Sequence, residues 1–416
     1  MSTPSTGEDP RSAILWIVLC GAEPRGDKVV VDAKFHDSMR AMIARLEVPM
    51  TALLPRFAPG ESHELLDSHE LAVASLPYRI AYVSYPLISA ANFAIIEHLL
   101  DETRMVVLGA LESFNMAIAD LCRRRGVPYI IITEYTLDTT LRIMRATTPS
   151  LLRRMVREVR MRLGKRRRHR MVAGAAEIHC KGYPTYDEFA ATNPHRLLFI
   201  DTHAMPDDII SNAELRARLA SRHSRPARLI YSGRYHPMKG TLDIIRVALE
   251  LDRRGFDFRL EMYGKGPLRE TMEAMARRGT DANKIAIHDP VPYRPDLQRV
   301  LRESDLFVCC HIQGDPSCTY LETLAGGVPI VGYSNEMWTP LCRESGAGAA
   351  LAMGDYKALA DTVIQMLTSD ALDEKSHRAR EFAATHTMET VLERRSARMA
   401  ALLGIEVTNS FASASR

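Results

Sequence analysis

Two segments in the second half of the sequence carry residue types that bind phosphate. The first, residues 231–240, holds Arg234 and Lys239 on one loop between a predicted strand and a predicted helix. Arg presents a planar fork and Lys a compact charge, so two such cations at a strand end suit a diphosphate. Gly233 and Gly240 allow the loop a tight backbone path. Taken alone, the segment could equally be a solvated basic loop.

The second segment lies closer to the C-terminus and runs as a strand, a polar turn, a helix and a glycine pair. Ser317, or Asp315, is placed to cap this helix, and Cys318 and Thr319 stand at its start. Unpaired amide hydrogens at a helix start can bind phosphate, so these residues are predicted to contact the same ligand. Glu322, one turn further in, is placed to accept hydrogen bonds from ribose hydroxyls. The alternative is that Glu322 is a capping-box acid.

The order of predicted elements indicates how these loops are positioned. Short apolar, β-branched runs alternate with amphipathic helical stretches, as they do in parallel sheets with crossover helices. The fold class is therefore predicted to be α/β, with doubly wound domains that bind ligands where loops leave the carboxyl ends of strands. The predicted strands are Ile14–Cys20, Val29–Val31, Arg79–Ser84, Met105–Gly109, Tyr129–Thr133, Glu177–His179, Leu197–Ile200, Arg228–Ser232, Arg259–Tyr263, Lys284–His288, Leu306–Cys310 and Pro329–Gly332.

The length of the chain predicts two domains. At 416 residues, 46% of them apolar, the chain is too long for a single hydrophobic core. The predicted seam is a polar stretch from Thr202 to Arg225, just before a new strand. Two doubly wound domains would place a ligand site in the cleft between them.

Cysteine usage and the absence of metal motifs exclude several classes of protein. The seven cysteines are scattered without a Cys-x-x-Cys pair, which argues against a disulfide framework or structural zinc and favours a reducing cytosol. The apolar run Ile14–Cys20 is too short to span a membrane and is interpreted as a buried strand. No Asp-x-Asp motif offers ligands for a metal-bridged diphosphate. His311, beside Cys309 and Cys310, is either a cleft residue or a hydrogen-bonded strand-end histidine; no metal site is predicted there.

Charge is distributed unevenly along the chain. Residues 151–170 hold ten Arg or Lys residues against one acid, Glu158, whereas the whole chain has 54 basic and 51 acidic residues. An apolar stripe makes this window a basic amphipathic helix, which suits an anionic membrane surface. The alternative is that the stripe packs on the first domain. The window has no aromatic residue for base stacking, so nucleic acid is not predicted as a partner. The stripe consists of Leu152, Met155, Val156, Val159 and Leu163.

Four motifs together resemble the nucleotide-sugar-binding half of GT-B glycosyltransferases, specifically the large retaining family 4. The resemblance is specific over residues 228–368. It implies that Arg234 and Lys239 bind the donor diphosphate, that Glu322 holds the ribose, and that no metal cofactor is needed. The motifs are Gly233-Arg234 with Lys239-Gly240, Gly264-Lys-Gly266-Pro267-Leu268, Ser304-Asp305-Leu-Phe-Val and Leu321-Glu322-Thr-Leu-Ala-Gly-Gly-Val-Pro329-Ile-Val.

The sequence departs from the resembled family at two positions. The family has a second Glu eight residues before the ribose-binding one, where this chain has Gly314, and Asp315 follows one residue later. The family also has a cleft His after a strand of the first domain, where this chain has Tyr135 beside Glu134. The turn around Gly26 looks like a degenerate version of the family's glycine-rich first loop. Gly26, Glu134 and Tyr135 are therefore predicted on the acceptor side.

The resemblance also implies a domain division. Residues 1–205 are predicted to form the acceptor-side Rossmann-like domain and residues 206–375 the donor domain, in which Gly233 and Gly264 also bind the donor. A C-terminal helix at about 376–404 is predicted to pack back on the first domain, and residues 405–416 to form a tail.

The predicted function is retaining transfer of a sugar from a nucleoside-diphosphate sugar to an acceptor hydroxyl, in polysaccharide, glycolipid or glycoconjugate biosynthesis. The predicted partners are the nucleotide-sugar donor, a carbohydrate or lipid-linked acceptor and an anionic membrane surface. The predicted location is the cytoplasm, with peripheral contact to the inner face of the membrane. The alternative is a GT-B-like nucleotide-sugar-binding or scaffold protein that has lost turnover.

Overall fold

The computed structural model describes residues 13–64, 68–279 and 283–407. Two parallel sheets dominate it, each flanked by helices, and a small antiparallel sheet accompanies the first. Side chains of β1 (Ala13–Ile17) alternate between two cores, with Ile14 and Trp16 in one and Leu15 and Ile17 in the other. A strand buried on both faces in this way belongs to a doubly wound sheet. The predicted α/β class with two Rossmann-like domains is confirmed.

The first half of the chain builds a seven-stranded parallel sheet within the described residues. The strands of this half after β1 are β2 (Glu23–Arg25), β3 (Lys28–Asp32), β4 (Met50–Pro55), β5 (Ser68–Ala72), β6 (Arg79–Val83), β7 (Thr103–Leu108), β8 (Tyr129–Thr133), β9 (Glu177–Lys181) and β10 (Arg196–Phe199), of which β2, β3 and β5 form the small antiparallel sheet. Its helices are α1 (Ala33–Leu46), α2 (Ala90–Asp101), α3 (Ser113–Arg125), α4 (Leu137–Thr147), α5 (Leu151–Leu163), α6 (Lys165–Ala173) and α7 (Tyr183–Glu188). The parallel sheet has the order β10-β9-β8-β7-β1-β4-β6.

The second half builds a parallel sheet with the order β13-β12-β11-β14-β15-β16. Its strands are β11 (Ala227–Ser232), β12 (Phe258–Tyr263), β13 (Ile285–His288), β14 (Leu306–Cys309), β15 (Ile330–Tyr333) and β16 (Gly348–Leu351). The helices of this half are α8 (Asn212–Ser221), α9 (Thr241–Arg253), α10 (Arg269–Gly279), α11 (Gln298–Glu303), α12 (Thr319–Ala325), α13 (Trp338–Ser345), α14 (Tyr356–Thr368), α15 (Ala371–Ala384) and α16 (Met388–Leu403). Neighbouring strands β11 and β14 end side by side, which brings their following loops together.

A hairpin replaces the direct connection from β1 to α1. The predicted strand Val29–Val31 lies in β3, which pairs antiparallel with β2 and β5 and is not part of the parallel sheet. Gly26, with φ +63°, is a turn residue between β2 and β3. The chain then enters α1, where the Asp32 carboxylate caps the helix by accepting from Phe35 N at 2.8 Å.

The C-terminal helices divide between the two cores. Val391 and Met399 of α16 pack in a core of the first sheet, and α16 contacts α1. Leu372 and Ala379 of α15 instead pack in the core of the second sheet. The range predicted to pack on the first domain, 376–404, is therefore too long at its start. Ile405 and Val407 also pack against the first core, and the remainder of the predicted tail lies outside the described residues.

The basic window forms two consecutive helices, α5 and α6, that meet at Gly164. Helix α5 packs on the rest of the domain through Met161, which contacts Leu137, Leu141 and Met144. Its apolar stripe points away from that contact: Leu152, Met155, Val156, Val159 and Leu163 are between 50% and 76% exposed. The interpretation in which the stripe packs on the first domain is therefore wrong. Among the described helices, none is long and apolar enough to cross a membrane.

Candidate active site

Glycines bring the loops after β11 and β12 into close contact. Gly233 N donates to Tyr263 O at 2.9 Å. A Cβ built on Gly264 would lie only 1.9 Å from Gly233 O, so no other residue fits at position 264 without moving the backbone. Gly240, with φ +59°, approaches the Cys310 carbonyl equally closely and joins the β11 loop to the end of β14. The predicted glycines thus shape one continuous surface at the strand ends.

Lys239 is neutralised by a carboxylate from the neighbouring loop. Its Nζ lies 2.6 Å from Asp315 Oδ2, and each of the two residues is only 4% exposed. Burial raises the pKa of Asp315, but the adjacent ammonium outweighs it and the net shift is downward. Lys239 and Asp315 therefore form a buried ion pair that ties the loop after β11 to the loop after β14.

His311 is a buried, hydrogen-bonded residue behind this ion pair. Its Nδ1 lies 3.2 Å from the Tyr320 hydroxyl and it is almost fully buried. Burial, followed by the charge of Lys239, lowers its pKa to about 3, so the ring is neutral at physiological pH. His311 is therefore a buried strand-end histidine and not a cleft residue, but only its Nδ1 is hydrogen-bonded: its Nε2 has no partner among the described residues.

Arg234 is the exposed cation of the site. Within the described part of the chain its guanidinium makes no ion pair or side-chain hydrogen bond, in contrast to Lys239. It lies close to Tyr135 of the first domain: burial and the carboxylates of Glu134 and Asp315 raise the pKa of the Tyr135 hydroxyl, and Arg234 partly offsets them. Arg234 of the second domain and Tyr135 of the first therefore lie within electrostatic range of each other across the cleft.

Glu322 is held by a histidine rather than by its own helix. Its Oε1 lies 2.6 Å from His203 Nδ1, so the capping-box interpretation is wrong. Burial lowers the pKa of His203, but hydrogen bonds with Cys318 and Glu322 outweigh it and raise the pKa to about 10. His203 is therefore protonated at neutral pH and forms an ion pair with Glu322.

The start of α12 differs from its prediction. The seven-residue helix is preceded by Cys318 at the N-cap, where no side chain caps the first turn, so neither Ser317 nor Asp315 has the predicted capping role. Ser317, Cys318 and Thr319 are half-buried at the edge of the cleft. The Sγ of Cys318, Nδ1 of His203 and a carboxylate oxygen of Glu322 all lie within 4.8 Å of one another, a grouping that could hold a metal ion.

The first domain contributes a charged cluster that sequence reasoning missed. Lys34 Nζ lies 3.1 Å from Cys318 Sγ and 2.8 Å from Asp201 Oδ1. Lys181 Nζ lies 3.1 Å from Asp201 Oδ2 and 3.9 Å from Glu134. Lys181 ends β9 and Asp201 follows β10, so a search of the carboxyl ends of the first sheet would have found both.

Glu134 and Tyr135 line a cavity of about 410 Å³ between the cleft and the basic window. Arg168 of α6 donates to the Tyr135 carbonyl at 3.0 Å and connects the window to the cleft. Arg160 and Arg167 also line the cavity. Gly26 does not share this environment: it lies at the tip of the β2–β3 hairpin, where no described residue other than its chain neighbours comes within 4 Å of its Cβ position. From this part of the chain, Lys34 reaches Cys318 of the second domain.

A further carboxylate sits against Gly314. A Cβ built on Gly314 would lie 2.8 Å from Glu336 Oε2, so a larger residue would displace Glu336. Glu336 Oε1 pairs with Arg142 of the first domain at 2.9 Å, and the residue lines an interdomain cavity of about 570 Å³. This contact could not be predicted, because Glu336 belongs to no sequence motif.

Residues 226–369 match the family model described as Glycosyl transferases group 1. This match covers the second parallel sheet and the helices around it, through α14. No curated protein matches the chain in sequence.

Solved structures share the fold over nearly the whole chain. HepE from Anabaena, in complex with UDP, has a TM-score of 0.65 at 12% identity over 94% of this chain and 99% of its own. Sucrose-phosphate synthase from Thermosynechococcus elongatus has a TM-score of 0.64 at 12% identity, over 95% and 100%. A glycosyltransferase from Rickettsia africae has a TM-score of 0.64 at 11% identity, over 94% and 99%. The chain therefore has the two-domain fold typical of GT-B glycosyltransferases, as predicted.

Proposed function

We propose that the protein transfers a sugar from a nucleoside-diphosphate sugar to an acceptor hydroxyl, with retention of configuration and without a metal cofactor. The observation that carries the proposal is the placement of an exposed Arg234 and a buried Glu322 at the ends of neighbouring strands, inside the domain that matches Glycosyl transferases group 1. The structural neighbour HepE has been solved with UDP and with UDP-glucose, which supports a donor of this class.

Arg234 is the principal contact for the donor diphosphate in this proposal. Its charge is exposed, whereas that of Lys239 is buried against Asp315 at 2.6 Å. Negative charge builds on the diphosphate as the bond to the sugar breaks, and a fixed cation at that point stabilises the transition state. Lys239, whose charge is neutralised by Asp315, contributes by holding the loop that carries Arg234 in place.

In this proposal Glu322 binds the nucleoside by exchanging its hydrogen bond with His203 for hydrogen bonds with ribose hydroxyls. Its carboxylate accepts from His203 at 2.6 Å, and ribose hydroxyls can replace that hydrogen bond. Because Glu322 is buried, a hydroxyl bound there is shielded from water and the contact is worth more than an exposed one.

Glu336 is our candidate for the carboxylate near the transferred sugar. It lies against Gly314, where the resembled motif has Glu, while Asp315 is committed to Lys239. The positive charge that develops at the sugar in glycoside chemistry favours a carboxylate nearby. Replacing Glu336 with Gln should lower transfer while leaving the binding of a nucleoside diphosphate unchanged.

The acceptor enters from the first domain, in the cavity beside Glu134 and Tyr135, and we propose that it is presented at an anionic membrane. The exposed stripe and the cations of α5 form a surface suited to anionic lipid, and each cation contributes about 1 kcal/mol to the binding free energy.

Leu152→Asp with Met155→Asp should abolish cosedimentation with phosphatidylglycerol vesicles. Ile88→Asp, at an exposed apolar residue elsewhere, is the control and should not change it; equal sedimentation of all variants would contradict the membrane role.

Donor hydrolysis and sugar transfer test the enzymatic role directly. The proposal predicts turnover of at least one nucleoside-diphosphate sugar in the presence of a chelator, lost in the Arg234→Ala, Glu322→Ala double variant. The alternative, a nucleotide-sugar-binding protein without turnover, is favoured by Gly314 and Tyr135, which replace the acid and the imidazole of the resembled family. Binding without any turnover above the double variant would favour it.

A further inference from the structure

We propose that His203, Cys318 and Glu322 form a zinc site at the nucleoside end of the cleft, and that zinc bound there excludes the donor. The zinc site itself rests on these three side chains alone. The exclusion of the donor rests in addition on the proposed function, because it assumes that Glu322 binds ribose. Zinc in this position is a competitor of the donor and not a cofactor for transfer.

The three ligand atoms converge on one point. His203 Nδ1 and Glu322 Oε1 are 2.6 Å apart, and both lie within 4.8 Å of Cys318 Sγ. Tetrahedral zinc with bonds of about 2.0–2.3 Å places its ligand atoms roughly 3–4 Å apart. The imidazole and the carboxylate must therefore separate by about an ångström from their direct hydrogen bond, a shift within the range of side-chain rotation.

The ligands are held by elements that limit their freedom. Cys318 and Glu322 are four residues apart at the start of α12, so they share one face of the helix. His203 lies in the segment that joins the two sheets; its carbonyl accepts from Arg294 at 2.6 Å, and its ring packs against Tyr293 with centroids 6.0 Å apart. Pre-positioned ligands lower the entropic cost of capturing an ion.

The chemistry of the set favours zinc over the common hard cations. One thiol, one imidazole and one carboxylate are ligands typical of zinc, whereas magnesium and calcium prefer oxygen alone. Zinc binds a neutral imidazole and a thiolate, so its capture releases the proton of His203, and that of the thiol, to solvent. The thiolate and the carboxylate then neutralise the two charges of the ion. Three protein ligands leave the fourth tetrahedral position to water.

Lys34 supports the thiolate from outside the ligand set. Its ammonium donates to Cys318 Sγ at 3.1 Å, which stabilises a negatively charged sulfur. Asp201 pairs with Lys34 at 2.8 Å and also with Lys181 at 3.1 Å, so its carboxylate offsets part of the positive charge that the ion would face. Outer contacts of this kind orient metal ligands and tune their affinity.

Ligation of zinc and binding of ribose compete for the same carboxylate. Glu322 is buried and offers the cleft one short polar contact, now made to His203. A carboxylate that ligates zinc can no longer accept from ribose hydroxyls at that oxygen. Zinc should therefore weaken the binding of a nucleoside diphosphate, and by linkage the nucleoside diphosphate should weaken zinc to the same degree.

A cobalt titration tests the site without any reliance on activity. Adding Co²⁺ to the metal-free, full-length protein should produce the near-ultraviolet charge-transfer absorption of a cobalt–thiolate bond, saturating at one equivalent and removed by Zn²⁺. Cys318→Ser should abolish the absorption. Cys342→Ser, at another half-buried thiol, is the matched control and should retain it. His203→Ala should weaken cobalt binding by at least about tenfold. Circular dichroism should show native spectra for all three variants.

Two results would overturn the site: no thiolate absorption in the wild type, or the same absorption in Cys318→Ser. Competition is then tested with UDP and the other nucleoside diphosphates as probes. The titration is read against free Zn²⁺, because the nucleotide itself chelates the ion. A weaker affinity for free Zn²⁺ in the presence of the nucleotide supports the shared use of Glu322, and an unchanged affinity while the nucleotide is bound contradicts it. If the cobalt absorption forms but no nucleoside diphosphate binds the metal-free protein, the proposed function fails and the zinc site stands.

Discussion

The two walls of the cleft are built in different ways. The wall from the second domain consists of two loops and a short helix from neighbouring strands, locked together by close glycine contacts and by the Lys239–Asp315 pair at 2.6 Å. The wall from the first domain collects single charged residues from separate elements: Lys34 from α1, Lys181 from β9 and Asp201 after β10. A wall fixed by backbone contacts suits a ligand group that does not vary, such as a diphosphate. A wall made of dispersed side chains can change its specificity through single substitutions.

The strongest test of the rigid wall is removal of the buried charge at Asp315. Asp315→Asn leaves Lys239 buried beside a neutral amide, so the free energy of unfolding should fall by about 3–5 kcal/mol. Urea denaturation measures this. The control is Asp289→Asn, which removes an exposed partner of Arg269 and should cost less than about 1 kcal/mol. Similar losses in both variants would mean that the buried pair does not hold the loops together.

The same pair sets a pH dependence. The pKa of Asp315 is lowered in the folded protein, chiefly because the Lys239 ammonium outweighs the effect of burial. A group with a depressed folded pKa contributes stability above its unfolded pKa and loses that contribution as the pH falls through the folded value. The wild-type advantage over Asp315→Asn should therefore be constant near neutrality and shrink in acid, below the ordinary range of an aspartate.

Loss of Arg234 should have the next largest effect. Arg234→Ala removes the exposed cation proposed to stabilise the leaving diphosphate, and kcat for donor turnover should fall by about 10²–10³, as for other single donors to a developing anion. Arg228→Ala is the control, since Arg228 lies at the opposite end of the same strand. If the two variants turn over donor at the same rate, Arg234 is not the diphosphate contact.

Glu322→Gln should weaken the binding of a nucleoside diphosphate by about tenfold to a hundredfold, because a hydrogen bond to a charged group contributes about 1.5–3 kcal/mol. Isothermal titration calorimetry measures the affinity directly. Glu303→Gln, at an exposed acid of the same domain, should bind as tightly as the wild type. Unchanged affinity in Glu322→Gln would remove Glu322 from the nucleoside site.

We expect the smallest effect from Tyr135, on the wall from the first domain, and we expect it on the KM for the acceptor and not on donor binding. Tyr135→Phe removes only a hydroxyl, so KM for the acceptor should rise by about two- to tenfold, the cost of one neutral hydrogen bond. Nucleoside diphosphate affinity should not change. A loss of nucleotide affinity in Tyr135→Phe would show that the two walls do not divide donor and acceptor as we propose.

Most strands of the second sheet could be predicted from the sequence, because each is a short run of β-branched and aromatic residues that packs on both sides. Strand β16 (Gly348–Leu351) and strand β4 (Met50–Pro55) were not predicted. The first is made of glycine and alanine before a leucine, and the second is fully buried but poor in β-branched residues. Pairing with neighbouring strands, not local preference, makes these segments extended.

The candidate site shows the same difference between what local sequence indicates and what tertiary packing decides. Arg234, Lys239, Asp315 and Glu322 could be selected as candidates because each lies in a motif of adjacent residues, and their donor-binding roles stay predictions. The partners of these residues could not be predicted, because tertiary packing brings them together from distant parts of the sequence. Asp315 neutralises Lys239, and His203 forms an ion pair with Glu322. Glu336 lies against Gly314 only because the loop after β15 folds over it.

A thermal-shift and calorimetric screen of nucleoside diphosphates and their sugars tests the central claim most directly. At a concentration about a hundred times its dissociation constant, the correct nucleotide should add about 2.7 kcal/mol to the stability of the wild-type protein. The Arg234→Ala, Glu322→Ala double variant should show no such gain while keeping its fold. The account is contradicted if no nucleoside diphosphate or sugar nucleotide stabilises the wild type, or if the double variant is stabilised to the same extent.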